Sequence, residues 1–242
     1  MTSPLLRLLP PPALLVLGCC FCLAVPVTPG LAADAAAEAD PFATYGAAVP
    51  DGKLREYQKL FRQKQIGTKT LTAGLSQRLF IKGVRKPVGS QARVAYQAPA
   101  SFAVRYTHPE GEWLLLHKGQ LEVQRRGKPL MVKQIGRGDT GMSNAGPLML
   151  LELLRDGGTA FEGSYDVAMR EADSRLTVIL QARGNGGKPS LIRTTLSLPA
   201  LELIEIDVTF NGDQGRIVYG FSSIQRNTKI DSNLFVSGET KN

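Results

Sequence analysis

The sequence predicts a mainly β protein with a few α-helices, its strands antiparallel and arranged as a barrel or a sandwich. Three observations carry this. Short runs alternate between apolar and polar residues with a period of two, as in Phe102, Val104 and Tyr106 against Ala103 and Arg105. Turn residues punctuate the chain at regular intervals and mark off nine to eleven strands. Finally, 242 residues with 43% hydrophobic and 21% charged side chains are enough for a real core, and fit neither a disordered chain nor a multi-span membrane protein.

The first 33 residues stand apart from that fold. Arg7 is their only charge, and an apolar run of about fifteen residues covers 13–27. A spanning helix needs roughly 20. Pro26 and Pro29 break the run, and Gly30-Leu31-Ala32-Ala33 supplies small residues suited to signal peptidase. Residues 1–33 therefore read as a cleaved secretory signal peptide. A retained anchor and lipidation at Cys19, within Val16-Leu17-Gly18-Cys19, are the competing readings. Against lipidation, Cys20, Phe21, Cys22, Leu23 and Ala24 prolong the apolar run where a tether would be polar. All three cysteines lie in this segment, so disulfides, thiol catalysis and thiolate metal sites are excluded from the rest of the chain.

Residues 34–50 are rich in Ala, Asp and Glu and read as a flexible lead-in to one domain over 51–242. Asp51 is the expected cap of a helix ending before Gly67, with Leu54, Tyr57, Leu60 and Phe61 on one face and Lys and Arg opposite. An extended segment over 70–82 follows, then a turn at 85–89. Apolar runs at 101–106, 112–117 and 120–124, separated by THPEGE and by Lys118-Gly119, form an antiparallel meander. One more strand is expected at 130–135. A glycine-rich loop over 136–146 precedes a short helix over 147–155, apolar nearly all round through Leu148, Met149, Leu150, Leu151, Leu153 and Leu154. Strands follow at 165–171, 175–182, 191–198, 201–210 and 216–225.

Chemistry-bearing patterns are scarce. Gly136-x-Gly138-x-x-Gly141 matches the dinucleotide fingerprint literally, but no βαβ unit surrounds it, so no cofactor is expected. With two histidines, His108 and His117, a serine triad or histidine metal site is not expected either. Glu202, Glu205 and Asp207 fit a solvated strand face better than an acid/base pair. Nothing argues for an enzyme. The formal charge of +8 is spread over turns and helices and is not gathered into an aromatic-interleaved patch, which disfavours nucleic acid. Anionic headgroups or an acidic partner are its more natural counterpart. A helix apolar on all sides is buried, or faces a space that accepts something apolar.

The order of these elements resembles the LolA-like periplasmic lipoprotein carriers over most of 54–236. The residues that carry the likeness are P-x-S-F-x-V-x-Y from Pro99, L-L-L-H-K-G-x-L from Leu114, P-L-M-L-L-E-L-L-R from Pro147, Phe161 after an Asp-Gly stretch, and Asn227-x-x-Ile230-x-x-x-x-Phe235. The resemblance implies an incomplete, half-open antiparallel barrel of about eleven strands with helices lidding its concave face. It implies a monomeric periplasmic carrier, without chemistry or cofactor, that takes acyl chains of lipoproteins or another envelope lipid from an inner-membrane donor to an outer-membrane acceptor. Phe102, Val104, Tyr106, Leu121 and Val123 would line the cavity. Leu54, Tyr57, Phe61, Leu148, Leu151 and Leu154 would form the lid. The family's arginine before the proline of the second strand, which ties the lid shut, has no counterpart, since Ala98 precedes Pro99 and Arg93 and Arg105 are out of register. The same fold also serves in envelope sensors, so a lipid-sensing or interaction module is the alternative.

Overall fold

The computed structural model of the chain describes residues 40–134, 163–184, 189–210 and 215–238. Its elements are β1 (Ala47–Ala48), α1 (Asp51–Ile66), β2 (Thr70–Phe80), β3 (Val88–Gln97), β4 (Ser101–His108), β5 (Glu110–His117), β6 (Gln120–Gln124), β7 (Met131–Gln134), β8 (Tyr165–Ala172), β9 (Arg175–Ala182), β10 (Pro189–Ser197), β11 (Glu202–Phe210) and β12 (Arg216–Arg226). A short 3-10 turn precedes β1 at Ala43–Tyr45, and another, Ser232–Phe235, follows β12. The expected leader, the glycine-rich loop and the apolar helix bearing Leu148, Leu151 and Leu154 lie outside the described residues.

All twelve strands belong to one antiparallel sheet in the order β1-β8-β9-β10-β11-β12-β2-β3-β4-β5-β6-β7. The sheet is not closed, and the fold is an open, barrel-like one, as expected. Two hairpin meanders, β2 to β7 and β8 to β12, join where β12 pairs β2 from Arg216↔Phe80 to Arg226↔Leu71. The strand in excess of eleven is β1, two alanines paired with Arg170 and Glu171 of β8. Alanines carry no alternation to read, so this strand leaves no trace in the sequence pattern. It also ties part of the supposedly mobile lead-in to the sheet, and Val49 beside it is buried.

The register puts one side chain in two on a common inner face. Cross-strand partners align Tyr96 with Phe102 and Leu116, Val94 with Val104 and Leu114, and Ile192 with Leu180 and Val208. A bulge on β11, between the pairs Thr195↔Glu205 and Leu196↔Leu203, skips Ile204 and keeps Leu203 inward. A continuous buried cluster runs along this face from Tyr165 and Leu180 through Ile206 and Tyr219 to Leu71, Phe102 and Leu121. Removing each large aliphatic or aromatic side chain there from water contributes about 1.5–3 kcal/mol.

Helix α1 forms where expected, with two corrections. Its N-cap is Pro50, without a side-chain bond, and Asp51 lies inside the first turn, where a carboxylate favours the helix N-terminus. Leu60 is 44% exposed and outside the packed stripe. Six residues on from Leu54 it is rotated by about 240° at 3.6 residues per turn, whereas Tyr57 and Phe61 stay near Leu54's side.

Candidate apolar binding face

The five predicted lining residues come together. Phe102, Val104 and Tyr106 of β4 and Leu121 and Val123 of β6 all point to the inner face, with Leu114 and Leu116 of β5 between them. Phe102 and Val104 are fully buried and Leu121 nearly so, while Tyr106 and Val123 are half-buried. The surroundings are dry enough to perturb phenols. Burial raises the Tyr219 phenol pKa well above its ordinary value, and it does the same, less strongly, for Tyr106 and Tyr165. The Tyr106 hydroxyl donates to Gln77 Oε1 at 3.4 Å, a polar contact on this face.

The predicted lid residues of α1 meet another part of the same face. Leu54, Tyr57 and Phe61 pack on Val49, Met169, Leu176, Leu196 and Leu201, at the β8–β11 side of the sheet. Val178 and Leu203 touch both this cluster and the one holding Phe102, so the two regions are continuous. Leu148, Leu151 and Leu154 fall outside the described residues.

Polar tethers hold α1 in place. Lys53 Nζ donates to Glu171 of β8 at 2.7 Å and the Tyr57 hydroxyl to the same oxygen at 3.2 Å. At the far end Lys64 bonds Glu202 of β11, which Arg226 of β12 also reaches at 3.4 Å, while Arg226 donates to Thr68 Oγ1 at 2.8 Å. Asn227 Oδ1 accepts from the Lys69 amide at 2.8 Å and its Nδ2 donates to the Gly67 carbonyl at 3.1 Å, fixing the link from helix to sheet. The bond from Lys53 lowers the Glu171 carboxyl pKa, with Tyr57 assisting, and the reciprocal bond raises that of Lys53.

Arg93 and Arg105 sit on the opposite, outer face, paired with one another across β3 and β4. Arg105 is 8% exposed and stacks 5.1 Å over the Trp113 ring. It donates to the Leu234 carbonyl at 3.2–3.3 Å, to that of Gly238 at 2.7 Å and to that of Val236. The C-terminal segment so held buries Phe235, with Ile230 and Leu234, against Ala95, Ala103, Trp113 and Leu115. An open groove of about 660 Å3 lies beside it, lined in part by Trp113, Gln124, Leu130 and Gly238.

The sequence reading missed these outer-face contacts. Asp207 corrects it directly. It is not on a solvated face but 4% exposed, clamped by Arg193 and by Arg216 at 2.7–2.8 Å. The partners lie 9 and 14 residues away on neighbouring strands, invisible to local pattern. Arg193 also bonds the Tyr45 hydroxyl, and Arg170 bonds Asp40 at 2.8 Å, fastening residues 40–48. No group of three or more metal-ligating side chains occurs among the described residues, and no helix there is long and apolar enough to cross a membrane.

The sequence matches no family model and no curated protein. The fold does match solved structures. MucB aligns with a TM-score of 0.50 at 8% identity, covering 77% of this chain and 63% of that one. A LolA superfamily protein from Nitrosomonas europaea aligns at 0.37 and 9% identity, covering 74% and 97%. The lipoprotein LppX of Mycobacterium tuberculosis aligns at 0.41 and 14% identity, covering 75% and 100%. At such identities the likeness shows the fold alone.

Proposed function

We propose that this chain is an exported, periplasmic carrier that binds acyl chains of lipoproteins or of another envelope lipid against its inner face and ferries them between membranes. One observation carries the reading. Contiguous apolar clusters run across one face of an unclosed sheet, and the one described helix on it is fastened by polar tethers at its edges. In the proposed cycle α1 swings aside and Phe102, Val104, Tyr106, Leu121 and Val123 receive the chain. Each buried methylene contributes about 0.8 kcal/mol, and the cargo then passes to a membrane acceptor. No chemistry or cofactor enters the cycle.

The test is mass spectrometry of lipids that copurify with the protein from its own host, beside the Val123→Glu variant. Val123 is half-buried, so a carboxylate there disturbs the sheet less than one at the fully buried Phe102. A stoichiometric lipid or acylated protein, lost in the variant while circular dichroism is unchanged, is the expected result. An empty wild-type protein would make the apolar face ordinary core. A second reading, an interaction module regulating an envelope partner, draws on the open outer groove beside Trp113 and on the likeness to MucB, which is known in complex with MucA. It predicts a stable protein complex and no cargo transfer.

A further inference from the structure

Six of the ten large hydrophobic side chains exposed among the described residues cluster in two hairpins: Ile81, Val84 and Val88 around the β2–β3 turn, and Leu130, Met131 and Val132 after the β6–β7 turn. The other four lie on α1, on β8 and in the C-terminal segment. Strand direction alternates through the meander, so the turns after β2, β4 and β6 fall at one end of the sheet. The two hairpins are four strand spacings apart, about 19 Å along the curve. Each mixes its aliphatics with exposed cations, Arg85 and Lys86 in one and Arg125, Arg126 and Lys128 in the other. None of these five belongs to a salt bridge among the described residues, whereas Arg183 and Arg216 at the same end are already matched by Asp166 and Asp207. Two carboxylates, Glu110 and Glu112, stand between the hairpins, and Glu112 accepts the Arg126 amide at 3.2 Å. The balance remains strongly positive.

Exposed aliphatics interleaved with lysine and arginine are what an anionic bilayer surface selects, because apolar tips enter the headgroup boundary while cations meet lipid phosphates. We infer that the β2–β3 and β6–β7 hairpins form a rim that docks the protein onto an anionic lipid surface. A single acidic peptide strand added to the β7 edge would leave the β2–β3 hairpin, on the far side of β3, β4 and β5, without a role. The inference stands apart from the cargo reading, since it requires nothing of the inner face.

The full-length protein is cosedimented with phosphatidylcholine vesicles and with vesicles containing about one-third phosphatidylglycerol. The ratio of the two affinities is the readout, which cancels any apolar contact common to both. The expected ratio is large and collapses at high salt. Removing Arg85, Lys86, Arg125, Arg126 and Lys128 together as serines lowers it at least 100-fold, at roughly fivefold per basic residue. Val84→Ser with Leu130→Ser weakens binding to anionic vesicles about tenfold while the preference for anionic over neutral lipid persists. All seven side chains are exposed, so the sheet survives both variants, as circular dichroism verifies. A wild-type ratio near one, or a ratio unchanged by the five-serine variant, overturns the inference. Binding to an acidic protein in the absence of vesicle binding does so as well.

Discussion

Replacing Arg105 with methionine should release the C-terminal segment while leaving the sheet intact. The wild-type guanidinium serves three carbonyls, of Leu234, Val236 and Gly238, and covers the Trp113 ring. Those carbonyls lie in half-buried or exposed residues, so water replaces the lost donors and each bond costs about 1 kcal/mol net rather than its full strength. Loss of the stacked cation adds about 0.5–2 kcal/mol. Burial lowers the Arg105 pKa, a sign that desolvating the charge offsets part of this gain, and methionine does not carry that cost. The net effect is about 2–4 kcal/mol on local opening, which multiplies the open population roughly 30- to 1000-fold. Lys229 is exposed just upstream of the segment, so tryptic cleavage there, with hydrogen exchange over 232–238, reads the opening directly. If cleavage and exchange in the variant match wild type, Arg105 does not hold the segment, and Phe235 packing alone does.

The tethers on α1 predict a pH response. The Glu171 carboxyl is held below its ordinary 4.5, so its contribution is present above that value and is lost as pH falls through the lower folded value. Lys53 is raised above 10.5, so its contribution persists below that and vanishes as pH rises through the higher folded value. Hydrogen exchange of α1 should therefore be slowest between about pH 4.5 and 10.5 once corrected for intrinsic rates, and Glu171→Gln should remove the acid limb. An acid limb unchanged in that variant would move the response to another carboxylate. Gly46 sits at φ 114°, where a Cβ would lie 2.4 Å from the Glu171 carbonyl oxygen. Gly46→Ala should loosen residues 40–48 by about 1–3 kcal/mol, seen as faster proteolysis of that segment, and wild-type resistance would show that the backbone adapts.

Much of the architecture was legible in the sequence because it is written in local rules. Period-two alternation and turn residues located β4, β5, β6, β8, β9, β10, β11 and β12 to within a few residues, and Gly67 marked the end of α1. The same alternation placed Phe102, Val104 and Tyr106 on one face, while Leu121 and Val123 were set beside them by the family resemblance. That one face is largely apolar across the central strands follows from composition and phase, although Gln77, Thr194 and Glu171 share it.

What pairs with what was settled only by the tertiary structure. The last strand, β12, inserts between β11 and the first long strand β2, and this brings Arg226 and Asn227 to the helix end some 160 residues earlier in the chain. Which charge is buried depends on such pairings. Asp207 and Arg105 look like the solvent side of a half-buried strand, yet Arg193 and Arg216 enclose one and the C-terminal segment covers the other. An alternating pattern specifies that a side chain points outward. Whether anything lies over it depends on contacts between distant segments, whose closure entropy and partner geometry are properties of the folded chain and not of any window of its sequence.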